Sequence, residues 1–211
     1  AKAPGGGRRG GRPGSLTGGG SVRFSTAEPR VVELVGARVA GDAMTVVHAG
    51  AYDWRIVRED RGHVAGLAGN QPNPLRVALD ALGLSGLTSD RKFIPRLYLE
   101  ADRDTRPELL RGLLHTDALV ARCGSGRLPT SSRRLADDVV ELVRSLGGWC
   151  SMSTKQPHFT NVAGVRMAGL PAYVLHISHP EPRSLFRLHA KQARAPERWK
   201  RQKRLTVSSI E

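Results

Sequence analysis

Asp117 is the residue best placed to do chemistry, because the residues before it predict an apolar helix that ends on its carboxylate. Thr105 stands where an N-cap belongs, with Pro107 in the first turn and Glu108 three residues on, a pattern typical of a helix start. A stripe of leucines follows at helical spacing. Gly112 interrupts this stripe at a cost of roughly 1 kcal/mol relative to alanine, so we expect a second helix backbone to come close there. A carboxylate from that helix would join Asp117 in holding a divalent metal ion.

Three blocks of sequence, in a consistent order, carry a resemblance to a known family. Residues 110–118, LRGLLHTDA, look like the LAGLIDADG (dodecapeptide, DOD-type) motif of homing endonucleases, with Asp117 at the position of the metal-binding acid. Residues 92–95, KFIP, are similar to the block that precedes the second such helix in intein endonucleases, and residues 130–147 resemble the segment that follows it. Weaker likenesses lie at residues 15–26 and 204–211. The chain therefore resembles the endonuclease part of an intein.

This resemblance implies an α+β fold, the LAGLIDADG homing-endonuclease fold, in which a pseudo-twofold αββαββα arrangement forms two saddle-shaped antiparallel sheets over the DNA major groove. It also implies site-specific cleavage of both DNA strands, in which two acids hold Mg²⁺ and a metal-bound water attacks. Asp117 takes the catalytic and metal-binding position. Lys92 takes the position of the basic residue that activates water or stabilises the charge developing on phosphorus. We expect DNA to be bound by arginines in and beside the sheets, namely Arg23, Arg55, Arg58, Arg127, Arg133 and Arg134.

The chain departs from the family pattern at the first motif. Residues 5–14, GGGRRGGRPG, stand where the first motif helix should lie, and Pro13 falls at the position of the first acid. Glycine and proline at this density do not allow a packed helix. In the second motif we interpret His115 as a tolerated substitution, and we expect Pro129 to be accepted only at a strand edge or bulge. We therefore expect impaired nuclease activity; the alternatives are a catalytically inactive DNA-binding remnant and an intein insert with no separate role.

Two similar halves are expected to position these residues. The string VVELV occurs at residues 31–35 and again at 139–143, and this repeat favours a monomer. Periodicity predicts helices at 28–39, 75–82, 105–117 and 135–146, and strands at 22–26, 44–48, 52–58, 120–128, 149–154 and 172–178. The predicted domains are a disordered Gly/Arg-rich arm at 1–20, a degenerate first half at 21–104, the second LAGLIDADG half at 105–180, and a basic linker leading to a splicing-domain strand at 181–211.

The composition favours a polyanionic partner. Thirty-three Lys and Arg against nineteen Asp and Glu give a net charge of +14, which indicates double-stranded DNA, and the host protein (exteins) would be a second partner within a longer intein. No apolar run spans a membrane, and Cys123 and Cys150 lack metal-binding spacing, so we expect a cytoplasmic location. With Ala1 at its start and Glu211 at its end, the chain is not expected to splice itself.

Overall fold

The computed structural model describes residues 22–59, 73–116, 118–121 and 125–197. Asp117, Cys123, the arm at 1–20 and the predicted strand at 204–211 lie outside these ranges. The chain divides into two compact units between Thr88 and Ser89. Among the described helices, none has the length and apolar character needed to cross a membrane.

The first unit is a three-stranded antiparallel sheet covered by helices. Its elements are β1 (Val22–Ser25), α1 (Pro29–Ala40), β2 (Met44–Gly50), β3 (Asp53–Arg58) and α2 (Pro74–Ala81), with strand order β1-β3-β2. Alternation along the strands directs Val22, Met44 and Ile56 to one face, where they form a core with Val39 of α1. The predicted strands and helices of this half are therefore present, with small differences at their ends.

Asn73 ties α2 to the sheet. Its buried side-chain oxygen accepts from the N–H groups of Leu75 (2.9 Å) and Arg76 (3.3 Å), and its amide nitrogen donates to the carbonyl of Ile56 (2.8 Å). Pro74 occupies the first helical position, where a missing N–H carries no penalty. One side chain thus starts the helix and anchors it to β3.

The second unit contains the motif helix and a larger sheet. Its elements are α3 (Arg96–Leu99), α4 (Thr105–Thr116), β4 (Leu119–Val120), β5 (Gly126–Thr130), α5 (Arg133–Ser145), β6 (Trp149–Lys155), β7 (His158–Thr160), β8 (Arg166–Ala168), β9 (Ala172–Ser178), a 3-10 turn at Pro182–Leu185, and α6 (His189–Arg194). The main antiparallel sheet has the order β4-β5-β9-β6, and β7 pairs only with β8. Helix α5 packs on this sheet through Ala136, Val139, Leu142 and Val143, which contact Leu128, Leu175 and Ile177 in the second core.

The two units repeat one arrangement. From α4 onward the second unit reads αββαββα, with the β7–β8 hairpin inserted before the last strand. The first unit repeats the strand, helix and hairpin portion, since β1-β3-β2 has the same order as β5-β9-β6. The VVELV strings fall in α1 and α5, which hold the same place in each unit. The predicted α+β class is confirmed. The strings begin at the third residue of α1 and at the seventh residue of α5, so they do not occupy equivalent positions within the two helices.

One local expectation about α4 is wrong, and a second, at Gly112, concerns a helix expected in residues that the structure does not describe. Its start is bound by Asp102, whose carboxylate accepts from the N–H groups of Asp104 (3.0 Å) and Thr105 (2.7 Å), and these hydrogen bonds help to lower the pKa of Asp102. Glu108 does not close a capping box, because it pairs with arginines instead. At Gly112, no described atom comes within 4 Å of an added Cβ, so no described helix backbone approaches it.

The second unit is longer than the predicted second half, which comprised residues 105–180. Residues 89–104, with KFIP and α3, belong to this unit. Residues 182–195, assigned from sequence to a basic linker, place Leu185, Phe186 and Ala195 in the second core. The apolar residues of this segment alternate with basic ones, so its net composition indicates a charged linker although one face is buried.

Candidate nucleic-acid interface

Arg23 and Arg55 are direct cross-strand neighbours on the face of the first sheet that points away from its core. They pair in β1 and β3, and Val47 of β2 lies beside Arg55. Like charges placed directly opposite each other destabilise a sheet. The carboxylate on this face, Asp53, accepts a hydrogen bond from Ser25 Oγ (2.5 Å). Within the described residues the buried Nε of Arg55 has no hydrogen-bond partner.

Arg58 lies on the opposite face. It pairs with Met44 and stands two residues from Ile56, so its strand position belongs to the core side of the sheet. The structure therefore brings together Arg23 and Arg55 and separates Arg58 from them.

The second sheet has a related pair at the equivalent register. Arg127 of β5 pairs with His176 of β9, and Ser151 of β6 lies on the other side of His176. These positions correspond to Arg23, Arg55 and Val47 in the first unit. Because Leu128, Leu175 and Met152 alternate with them and face the core, Arg127 and His176 lie on the face away from it.

Arg133 and Arg134 belong to the helical layer instead. Both begin α5, which packs on the core side of the sheet. Arg133 forms an ion pair with Asp137 (2.9 Å), which helps to raise the pKa of Arg133, and its guanidinium lies 5.7 Å from the ring centre of Tyr173. Arg134 lies 4.0 Å from the ring centre of Phe93. Their exposed guanidinium groups are engaged by neighbours within the unit.

Lys92 opens the KFIP block, which is fastened to the start of α5. Its backbone carbonyl accepts from Ser132 Oγ at 2.5 Å, while its side chain is exposed. Ile94 is buried, and its N–H donates to Asp138 Oδ2 at 2.8 Å. Ser132 also accepts from the N–H of Leu135 at 3.1 Å, so it caps α5 as well. These bonds fix the backbone of Lys92 and leave its ammonium group outward.

Helix α4 buries the predicted leucine stripe. Leu110 and Leu114 are fully buried, and Ala118, directly after Asp117, is buried too. On the polar side, His115 Nε2 accepts the N–H of Arg187 at 2.6 Å. Burial, with Lys191, Arg187 and Arg111 nearby, lowers the pKa of His115. The structure thus gives His115 a specific partner, where the sequence predicted a tolerated substitution.

A long stretch without acidic residues supplies much of the second sheet. Residues 142–180 contain no Asp or Glu, and they include the whole of β6, β7, β8 and β9. The β7–β8 hairpin is exposed throughout, and it presents Phe159 and Met167 side by side in one cross-strand pair. Arg166 precedes Met167 on β8 and pairs with Thr160, so it lies on the other face of the hairpin. The exposed hairpin thus carries an apolar pair on one face and a positive charge on the other.

The chain is similar to short parts of two replicative DNA helicases. No protein-family model matches the chain. Over 104 residues, 49% of the chain, it is 38% identical to the replicative DNA helicase DnaB of Mycobacterium intracellulare. Over 137 residues, 60% of the chain, it is 32% identical to the replicative DNA helicase DnaB of Nostoc sp.. The matches span 16% and 15% of those helicases. A solved structure of mesophilic variants of the homing endonuclease I-DmoI aligns with a TM-score of 0.46 and 10% identity, over 78% of this chain and 75% of that one.

Sequence reasoning missed two parts of this interface. His176 was not selected, although its place in a strand that alternates with buried residues marks it as facing away from the core. The acid-free run at 142–180 was also missed, although a count of charges along the printed sequence finds it. Lys191 was noted only as part of a basic tail, and no local pattern indicates that it contacts α4.

Proposed function

We propose that this chain is the endonuclease-type domain of an intein and that it binds double-stranded DNA in a site-specific manner through the outward faces of its two sheets. The observation that carries the proposal is the opposition of Arg23 and Arg55, repeated at equivalent register by Arg127 and His176. Arg23 and Arg55 place two positive charges directly opposite each other, an arrangement that an anionic partner stabilises. Backbone phosphates supply such anions at regular spacing, and base edges supply acceptors for arginine.

The charge distribution supports a nucleic-acid partner of this kind. The chain carries a net charge of +14, and the acid-free run extends over four strands of the second unit. A polyanion that binds there releases its condensed counterions, which favours association. Arg133 and Arg134 contribute to this field, although their side chains stack and pair within the helical layer.

The intein assignment is supported by the form of the similarity to DnaB helicases. Each match covers a small share of a much longer protein, as expected when an inserted segment is compared with a host protein that carries one. The exteins of such a host would be the second partner. The repeated arrangement of the two units supports a monomer, because two halves of one chain can take the place of two subunits.

The expected Mg²⁺ ligand, Asp117, lies outside the residues that the structure describes. Among the described residues, no group of three or more His, Cys, Asp or Glu side chains is arranged to hold a metal ion. The carbonyl oxygens of His115 and Ala118, on either side of Asp117, accept from the Lys191 ammonium. Mg²⁺ binding and catalysis by Asp117 and Lys92 are therefore a second proposal, which rests on the LAGLIDADG resemblance. The form best supported is a DNA-binding domain with impaired cleavage.

Binding is tested by selecting duplex DNA from a random library and measuring affinity for the selected site at several salt concentrations. We expect Arg55→Gln to weaken binding and to reduce the slope of log affinity against log salt by about 0.9, the value for one lost phosphate contact. Arg58→Gln is the matched control, since it removes the same charge from the same strand on the other face. Equal losses for both variants, or the failure of the parent chain to enrich any duplex, would refute the proposed interface.

Cleavage is tested on plasmids carrying the selected site, with Mg²⁺ present, using the parent chain, Asp117→Asn and Lys92→Met. We expect the parent to bind without cutting either strand. Cutting that disappears in Asp117→Asn would instead establish an active nuclease and contradict impairment by the loss of the first acid.

A further inference from the structure

Lys191 of α6 binds the C-terminal end of α4. Its Nζ lies 2.8 Å from the carbonyl oxygens of Leu114 and His115 and 2.9 Å from that of Ala118. An ammonium group has three donors, and each of these carbonyl oxygens can accept one of them. The last carbonyls of a helix lack intrahelical partners and gather partial negative charge, which makes a cation their natural complement.

Lys191 reaches this position because residues 182–195, the strap, are bound along α4. Glu108 of α4 forms an ion pair with Arg187, and Arg111 Nε donates to the carbonyl of Ser184 at 2.6 Å. One turn further on, His115 Nε2 accepts the N–H of Arg187. Positions 108, 111 and 115 share one side of a helix, so the strap follows a single polar stripe.

The strap is also anchored in the core. Leu185 and Phe186 are buried in the second core, and Gln192 Nε2 donates to the carbonyl of Phe186 at 2.6 Å. Arg183 Nε donates to the carbonyl of Ala195 at 3.1 Å, which closes the strap on itself. The packed strap therefore holds the backbone of Lys191 next to α4, so its side chain is already positioned to contact the helix end.

We propose that Lys191 is a positioning residue that fixes the backbone on both sides of Asp117. The three carbonyls that it binds belong to residues 114, 115 and 118, which bracket Asp117 in the sequence. Through them the strap determines how the end of the motif helix is presented. This inference rests on the proposed function for its biological meaning. Its physical content is the immobilisation of one short segment, which is measurable whether or not DNA binds.

Hydrogen exchange of the full chain, followed by mass spectrometry, tests the inference. Lys191→Met removes the charge and the donors while keeping an unbranched side chain, and Lys191→Arg keeps the charge. Lys155→Met is the matched control, because it removes an exposed lysine of β6. We expect Lys191→Met to accelerate exchange about tenfold in peptides covering 113–119, with β5 and β9 unchanged, and Lys191→Arg to restore part of the protection.

Salt-dependent DNA binding separates positioning from direct contact. Since the Lys191 donors are directed at α4, we expect Lys191→Met to leave the salt slope unchanged. A slope lowered by about 0.9 would make Lys191 a phosphate ligand and overturn the inference. Unchanged exchange at 113–119, or equal acceleration throughout the unit, would overturn it as well. If the parent binds no duplex, the proposed function fails, and the exchange data still decide the role of Lys191.

Discussion

The backbone N–H of Ile94 donates to the carboxylate of Asp138 at 2.8 Å, across 44 residues of sequence. Ser132 Oγ donates to the carbonyl of Lys92, and Arg134 stacks on Phe93, so three contacts join the same two segments. The KFIP block and the start of α5 thus form one hydrogen-bonded contact, which we call the joint. Each segment supplies hydrogen-bonding partners to the other, which is a physical reason for both to be present in the sequence.

Asp138→Ala is expected to destabilise the second unit by about 1–3 kcal/mol, because it leaves the N–H of buried Ile94 without its acceptor. Asp137→Ala is the neighbouring control. It removes only an exposed pair with Arg133, and its effect should stay below about 0.5 kcal/mol. Urea denaturation of both variants measures the difference, and equal effects would contradict the joint.

Gly112 and Gly148 should respond in opposite directions to alanine. A Cβ at Gly148 would lie 2.8 Å from Val143 Cγ1 and 3.0 Å from the Ser178 carbonyl, so Gly148→Ala should destabilise by about 1–3 kcal/mol. Gly112→Ala meets open space among the described residues and gains helix propensity, so it should stabilise by up to about 1 kcal/mol. Thermal unfolding compares them. Destabilisation by Gly112→Ala would show that a helix does pack there, as the sequence predicted.

The stability of the second unit should fall as the solution is acidified through the titration of His115. The pKa of His115 is lower in the folded chain than its ordinary value of 6.5, chiefly because of burial, so the folded state binds fewer protons than the unfolded chain. Stability is therefore retained above the unfolded value and lost as the pH falls through it toward the folded value.

His115→Gln should flatten this dependence, since glutamine keeps an acceptor for the N–H of Arg187 and does not titrate. Urea unfolding at a series of pH values from about 8 to about 5.5 provides the measurement. His158→Gln, on the exposed hairpin, is the control. If the free energy of unfolding depends on pH in the same way for the parent and for His115→Gln, His115 is not the source of the pH dependence.

The β7–β8 hairpin should contribute to DNA binding and not to folding. Its base is closed by Gln156 Nε2 donating to the carbonyl of Gly169 (2.6 Å) and by the N–H of Gly169 donating to Pro157 (2.8 Å). Replacing residues 158–168 with Asn-Gly should leave the melting temperature within about 2 °C of the parent value. It should weaken binding to the selected duplex and reduce the salt slope by about 0.9.

Arg166→Gln in the intact hairpin separates the charge from the apolar pair. We expect it to reproduce the change in slope but only part of the loss of affinity, because Phe159 and Met167 remain. If the variant that lacks residues 158–168 binds DNA as tightly as the parent, the hairpin is not part of the DNA interface.

The sequence predicted the framework of this fold because its signals are local. The leucine stripe of α4 and the alternation of β3 each lie within a few residues. The VVELV strings indicated two similar halves, although the strings lie one turn apart within α1 and α5. The opposition of Arg23 and Arg55 needed register as well, and register comes from pairing between strands distant in sequence.

The contact between the strap and α4 could not be predicted from local sequence patterns for the same reason. Lys191 and Leu114 are separated by 77 residues, and nothing in HAKQAR shows that a lysine there meets the end of α4. Arg133 and Arg134 were chosen for DNA because their charge is visible in the sequence. Their partners, Tyr173 and Phe93, become apparent only when the chain is folded.

Pro129 has a consequence for the behaviour of the protein in concentrated solution. Among the described strands, β4 pairs with β5 only at Gly126 and Arg127, so β5 is an edge by the time it reaches Pro129. An uncovered edge can recruit a strand from another molecule and begin aggregation. Proline offers no N–H to a newcomer and blocks such growth. We therefore expect Pro129 to disfavour self-association through this edge of the sheet.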